Sequence, residues 1–190
     1  MLLRNNLVSL SQKRLKRIFD FSLSIFGLFF LWWVILIAWL LASIDTKKNG
    51  FFLQERIGKH STRFKIIKIR TMLSSDFIST TVTSVDDARI TNLGKLFRKF
   101  KIDELPQLIN IFLGHMSFVG PRPALFNQED LIALRKENVV DKLLPGVTGW
   151  AQVNGRDELS IPDKVVFDVE YLHRQSFWFD MKILWMTFLK

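Results

Sequence analysis

Two adjacent carboxylates, Asp103 and Glu104, follow a stretch in which Lys95, Arg98, Lys99 and Lys101 gather positive charge. Paired acids beside that many cations suit phosphate chemistry. A carboxylate can attack phosphorus and form an acyl phosphate. Its neighbour can hold a divalent metal that neutralises phosphate oxygens. The string from Asp103 to about Leu113 reads as a helix, with Pro106 tolerated in its first turn. Free N–H groups and the helix dipole at such a start keep a carboxylate ionised and draw a phosphate to the same place. The bland alternative is a capping Asp followed by a first-turn Glu, which is ordinary helix-start chemistry.

Other polar residues could serve the same anion. Lys68 and Arg70 share parity on an expected strand, so they face one side and could line an anion site or simply meet solvent. Arg89, Arg98 and Arg156 are further phosphate candidates. In PGVTGWAQVNGR, Gln152 and Asn154 could hold a nucleotide or merely build the glycine-punctuated loop and its Asn154-Gly155 turn.

The elements that must position these residues are marked by pattern. No charge occurs between Asp20 and Asp45. The run from Phe21 to Ile44 makes roughly 36 Å of helix, enough for a bilayer core of about 30 Å. Basic residues flank it on both sides: Arg4, Lys13, Arg14, Lys16 and Arg17 before, Lys47, Lys48, Arg56 and Lys59 after. Positive flanks mark the cytoplasmic side, so the charge pattern favours a helix that enters and leaves by one face. Such re-entry needs a bend, and the run contains no proline; Ser24, Gly27 and the Trp32-Trp33 pair are the available breakers.

Phe51–Ile57 and Phe64–Ile69 are β-rich around a polar turn from Gly58 to Arg63, which predicts a hairpin. Residues 73–88 read as a polar loop. From Arg89 to Phe100 the apolar residues recur at helical spacing with basic residues between them, predicting a helix for a membrane surface or for solvent. Further helices are expected over 127–138 and 162–172, and the aromatic tail from Ser176 reads as an amphipathic helix for a membrane interface or for the core.

Composition narrows the classes. The 190 residues are 48% hydrophobic, enough for one domain with an anchor. There is no cysteine, which excludes disulfides, thiolate zinc sites and thiol nucleophiles. The formal charge of +9 attracts anions of any kind, whether nucleic acid, anionic lipid or phosphorylated substrate.

Longer strings carry a specific likeness. DELPQLINIFLGHMSFVGPRP resembles the bacterial sugar transferase family, the small monotopic phosphoglycosyl transferases. KRIFDFSLSIFGLFF, QERIGKHSTRFKIIKIRTM, DDARITNLGKLFR, PGVTGWAQVNGR and SFWFDMKILW match in the same order, from about Lys13 to the end. The resemblance implies an α+β fold: an N-terminal membrane-embedded, re-entrant helix, then a small helical catalytic domain with a β-hairpin and interfacial amphipathic helices. The corresponding division is a tail over 1–12, a membrane helix over 13–46 and a cytoplasmic catalytic domain over 47–190.

By the same resemblance the reaction is transfer of a sugar 1-phosphate from a UDP-sugar to undecaprenyl phosphate, with release of UMP. It takes place on the cytoplasmic face of the bacterial inner membrane and initiates surface polysaccharide or glycoprotein glycan synthesis. Asp103 would be the nucleophile and Glu104 the Mg²⁺ ligand. Arg122, in the PRP position, would bind phosphate as a guanidinium fork between rigid prolines. Asp168 falls on an acidic family position, and His115 stands where the family often has an acid. An N-acetylated amino sugar is the expected donor group. The family's bend is commonly a Ser-Pro pair, and Trp32-Trp33 stands in its place. The chain reads as a minimal form without the additional membrane helices of larger relatives.

Two other classes compete. A metal-dependent phosphohydrolase of lipid phosphates would use the same carboxylates without a sugar nucleotide. A membrane-tethered nucleic-acid-binding module would explain the charge alone, but no nucleic-acid motif is present and the aromatics cluster in anchor-like segments, so nucleic acid is not an expected partner.

Overall fold

The computed structural model of the chain describes residues 10–73, 87–155 and 158–189. Most of the expected 73–88 loop, and Arg156, lie outside the described residues. The chain is a mixed helix-and-sheet protein with one long apolar N-terminal helix.

That helix, α1 (Leu10–Thr46), is uninterrupted. It is the one described helix long and apolar enough to cross a membrane. One stripe of it, Ile35, Ala38, Ala42 and Thr46, is buried at helical spacing. Another face leaves ten large apolar side chains exposed between Ile25 and Leu41, among them Phe29, Trp32 and Trp33. At roughly half exposure, about 1 kcal/mol each, their hydration costs on the order of 10 kcal/mol. That rivals the whole stability of a typical domain, so this face calls for an apolar surrounding. Ser43 and Thr46 return their hydroxyls to the carbonyls of Trp39 and Ala42, each at 2.7 Å. Lys47, at φ 52°, turns the chain out of the helix.

The chain divides into two compact units. One comprises Ser24–Glu55 and Lys65–Asn110. Its core packs Ala38 and Ala42 of α1 against Ile69 and Phe97. The strands β1 (Phe51–Ile57) and β2 (Arg63–Ile69) form the expected hairpin, and α2 spans Asn92–Lys99. Helix α2 begins later than the periodicity suggests. Ile90 is taken by a bridge to Met72, and the Thr91 hydroxyl accepts the Gly94 N–H at 2.9 Å as an N-cap. Gly94 is required there, because a Cβ would lie 2.1 Å from the Thr71 carbonyl oxygen.

The predicted helix from Asp103 is also modified. Lys101 adopts the left-handed conformation, at φ 59°, and Ile102–Glu104 form a single 3-10 turn. The α-helix proper, α3, spans Gln107–Phe112. Pro106 has no N–H to continue a ladder back to the carboxylates, so they sit ahead of α3 rather than in its first turn.

The second unit comprises the chain to Leu23, Arg56–Phe64 and Ile111 onward. Here β3 (Ser117–Val119), β4 (Ala124–Leu125), α4 (Glu129–Glu137), β5 (Gly146–Thr148), α5 (Trp150–Val153), α6 (Ile161–Arg174) and α7 (Phe177–Phe188) follow in order. β4 adds to β1 in antiparallel register, Arg56 opposite Leu125. β3 and β5 run parallel, pairing Ser117 with Gly146 and Val119 with Thr148. The segment read from sequence as a glycine loop is therefore a strand followed by one helical turn. Its glycines serve close approach: a Cβ on Gly146 would fall 2.1 Å from the Gly120 nitrogen. The core of this unit gathers Val119, Val140, Leu143, Val153, Tyr171, Phe179 and Ile183.

The first turns of α1 belong to this unit and are polar for a reason. Lys16 donates to the Val119 carbonyl at 2.9 Å and to Asp180 at 2.6 Å. Asp20 accepts the Phe118 N–H at 3.1 Å. Tyr171 donates to Asp180 at 2.7 Å. Arg17 donates to the carbonyls of Ile111 and Phe112, at 2.7 and 2.8 Å, satisfying the open end of α3. These residues are more than flanking charges: they fasten the helix to β3 and α3.

Candidate active site

The carboxylate centre lies wholly within the first unit. Asp103 is buried, and among the described residues its Oδ1 has no hydrogen-bond partner. Burial pushes its carboxyl above the usual range, and the Glu104 charge pushes the same way. Lys68, Arg98 and Lys101 pull it back. The three cations favour the ionised carboxylate, the form that can attack phosphorus, against the effect of burial.

Glu104 is held by Lys68, whose Nζ lies 3.2 Å from Oε1. Arg98 is anchored by donating Nε to the Thr71 hydroxyl at 2.9 Å. Thr71, unremarkable in the sequence, thus fixes one of the cations. Lys101 presents its charge from a strained left-handed position two residues before Asp103, and such backbone is held in place only by its surroundings. Of the sequence candidates, Asp103, Glu104, Lys68 and Arg98 are brought together.

Two candidates in this unit are engaged elsewhere. Arg70, just past β2, donates to the Asn49 carbonyl at 2.8 Å and to that of Phe51 at 3.4 Å. It staples the hairpin, and shared parity with Lys68 does not give it the same task. Arg89 is clasped by Asp87 through Nε at 2.9 Å and Nη2 at 2.5 Å. That contact lowers the Asp87 pKa to about 2.

Among the described residues no group of three or more His, Cys, Asp or Glu side chains could form a protein cage for a metal. Mg²⁺ does not need one. It commonly takes one or two carboxylates and leaves its other positions to water and substrate phosphates. The partnerless Asp103 oxygen beside Glu104 fits that mode.

The PRP loop is built in the second unit. Pro121 and Pro123 are buried, and Arg122 is half-buried between them. Gly146 donates its N–H to the Pro121 carbonyl at 2.9 Å, and Gly120 donates to Thr148 at 2.9 Å. Among the described residues the Arg122 guanidinium makes no hydrogen bond or ion pair, which leaves its fork for a ligand. Its backbone carbonyl accepts Arg135 Nη1 at 2.8 Å. Asp168 is buried and takes Arg135 Nε and Nη2 on one oxygen, at 2.9 and 2.7 Å. Burial raises its pKa and Arg135 opposes the rise. Asp168 is therefore not a surface residue, and its carboxylate is engaged by Arg135.

Gln152 donates to the Val147 carbonyl and Asn154 to that of Trp150, each at 2.8 Å, so both build their own turn. Among the described residues the buried Gln152 Oε1 has no partner. His115 is exposed, with its ring centroid 6.2 Å from that of Phe64.

The sequence profile of the bacterial sugar transferases matches residues 11–190. The chain belongs to that family. It is 40% identical to the uncharacterized sugar transferase EpsL of Bacillus subtilis, over 93% of this chain and 86% of that one. It is 34% identical to the exopolysaccharide production protein ExoY of Sinorhizobium fredii, over 90% of this chain and 83% of the relative. The UDP-glucose:undecaprenyl-phosphate glucose-1-phosphate transferase of Escherichia coli is 40% identical over 73% of this chain but only 32% of its own length. The transferase described here therefore spans most of some relatives and about a third of others. The DELPQL string holds the buried Asp103 carboxylate and the VGPRP string the half-buried Arg122.

Proposed function

We propose that this sugar transferase moves a sugar 1-phosphate from a UDP-sugar to undecaprenyl phosphate, releasing UMP, as the first step of a bacterial surface glycan. The observation that carries the reading is the buried, partnerless Asp103 carboxylate oxygen among Lys68, Arg98 and Lys101. Relatives named as glucose and galactose transferases to undecaprenyl phosphate support the substrate classes.

In the first step an Asp103 oxygen bonds to the β-phosphorus as the bond from that phosphorus to the bridging oxygen breaks. UMP departs with the electron pair, and a sugar-phosphoryl aspartate remains. In the second step an oxygen of the lipid phosphate attacks the same phosphorus and expels the Asp103 carboxylate. No net proton transfer is needed. Lys68, Arg98 and Lys101 offset the growing phosphate charge in the first unit. In the second unit, Arg122 is the residue proposed to bind phosphate through its guanidinium fork. Glu104 would hold Mg²⁺, which when bound supplies further neutralisation of the phosphate oxygens.

The exposed apolar face of α1 supports a membrane location, with both basic flanks on the cytoplasmic side of the inner membrane. The donor sugar is a hexose or an N-acetylated amino sugar.

The test is UMP release by the purified full chain across a set of UDP-sugars. Dependence on both a UDP-sugar and undecaprenyl phosphate is expected. Phosphate release from the lipid without nucleotide sugar would replace this reading with a phosphohydrolase.

A further inference from the structure

We infer that Arg135 is a positioning residue for the reaction, holding the Arg122 backbone in the phosphate-binding conformation while Asp168 holds Arg135. The inference rests on the phosphate role proposed for Arg122. Three facts in the second unit carry it.

The first is geometric. Arg135 uses all three nitrogens on internal acceptors. Nε and Nη2 go to Asp168 Oδ2 and Nη1 goes to the Arg122 carbonyl. A planar guanidinium aligned on a carboxylate by two of its nitrogens has little freedom left in the third. The Arg122 carbonyl is thereby fixed by a buried ion pair whose two partners are 33 residues apart in the chain.

The second is burial. The side chains of Arg135 and Asp168 are 12% and 2% exposed, so neither is a surface pair. Buried ion pairs often add little net stability relative to apolar replacements of similar shape, because desolvation offsets the attraction. The contribution of such a pair then lies in the geometry it imposes on the Arg122 carbonyl.

The third is the loop's own chemistry. Pro121 and Pro123 fix φ at their own positions but not at Arg122, and neither has an N–H with which to anchor the loop. The flanks are tied by Gly120 and Gly146 through the β5 side. The Arg122 peptide itself has Arg135 as its hydrogen-bonding partner on the α4 side.

A lysine at 135 keeps charge opposite Asp168, but one ammonium lacks the fork that serves both acceptors. Arg135→Lys is therefore expected to reduce kcat/KM for UMP release about tenfold, through KM more than kcat, at nearly unchanged melting temperature. The decisive arm is a double-mutant cycle with Arg122→Lys, on the full chain in detergent with the UDP-sugar that supports turnover. If Arg135 acts through Arg122, adding Arg135→Lys to Arg122→Lys costs less than about twofold more. Losses that multiply in full would show that Arg135 acts independently, and the inference falls. If Arg122→Lys retains normal kcat/KM, the phosphate role of Arg122 fails and the inference falls with it. If Arg122→Lys is impaired while Arg135→Lys is not, only the positioning role is overturned. Should Arg135→Lys lose its cooperative melt, the cycle is run with Arg135→Gln/Asp168→Asn, which leaves no unpaired buried charge. The same near-absence of a further loss is then expected, and a full multiplicative loss again overturns it.

Discussion

Lys68 Nζ lies 3.2 Å from Glu104 Oε1, so the chain's own ammonium already neutralises the carboxylate assigned to the metal. A divalent cation on Glu104 must share or displace that contact. Lys68→Met is therefore predicted to bind Mn²⁺, used as a spectroscopic substitute for Mg²⁺, roughly three- to tenfold more tightly. Turnover should still fall, because a cation facing the phosphate is lost. Paramagnetic resonance titration of the purified variant measures the affinity. Unchanged or weaker binding would remove Glu104 as the ligand. In the parent protein EDTA should abolish activity and added Mg²⁺ restore it.

Asp103→Asn keeps the shape of the side chain and removes the attacking charge. Turnover should fall by about a thousandfold or more, since the attacking group is lost and the neighbouring Glu104 carboxylate is paired with Lys68. The melting temperature should hold or rise, because the variant no longer buries a carboxylate that the fold disfavours in its charged form. Intact-protein mass measurement after mixing the parent with a UDP-sugar should show the added sugar phosphate, and the Asn variant should show none. Near-normal turnover in the variant, free of parent enzyme, would transfer the role to another group.

Gly94→Ala tests how tightly α2 is docked. The added methyl would meet the Thr71 carbonyl oxygen, a backbone atom that cannot rotate away. A loss of about 1–3 kcal/mol is expected from such overpacking, visible in chemical denaturation. Activity should fall more than stability alone explains, because Thr71 also anchors Arg98. A variant as stable and active as the parent would mean that α2 can shift freely.

The sequence made the hairpin and α1 legible because each is a local pattern: β-rich runs around a polar turn, and a charge-free run from Phe21 to Ile44. The acid pair was legible by type and likeness, but its local backbone was not. Periodicity runs through Pro106 as if the helix continued, while the left-handed Lys101 and the missing proline N–H divide it. The β3–β5 pair was hidden because three-residue strands between glycines resemble loop. Arg135 could not be told from Lys136 beside it. Its partner Asp168 comes from a helix 33 residues away, and only packing brings them together. Asp20 carried one available hint, as the last charge before the apolar run.

Asp180 gives a pH signature. Burial raises its pKa first of all, Lys16 and Tyr171 work against this, and Asp20 adds to it. The folded state therefore binds this proton more tightly than the unfolded chain, whose Asp titrates near pH 3.9. The resulting stability is present below that value and is lost as pH rises through the raised one. Asp180→Asn does not titrate. Its melting temperature should gain on that of the parent as pH increases from about 4 toward neutrality. A gap that is constant, or that moves the other way, would mean that the Lys16 contact outweighs burial.

The topology of α1 follows from what grips its two ends. Near its start Lys16 and Asp20 hold Val119, Asp180 and Phe118, residues far along the chain. Near its end Ala38 and Ala42 pack with Ile69 and Phe97. If α1 crossed the bilayer, the chain after Thr46 would have to supply partners on both faces and so cross again. No other described helix is long and apolar enough to do that. The uninterrupted helix and the absence of proline argue for a straight span, but among the described residues a second crossing has no helix to make it. Both flanks are therefore predicted on the cytoplasmic face. In this cysteine-free chain, Gln12→Cys and Lys48→Cys place single thiols at exposed positions on either side of the apolar run. A membrane-impermeant maleimide applied to cells with a permeable outer membrane should label neither until the inner membrane is opened. Labelling at position 12 alone in intact cells would establish a span and end the one-face arrangement.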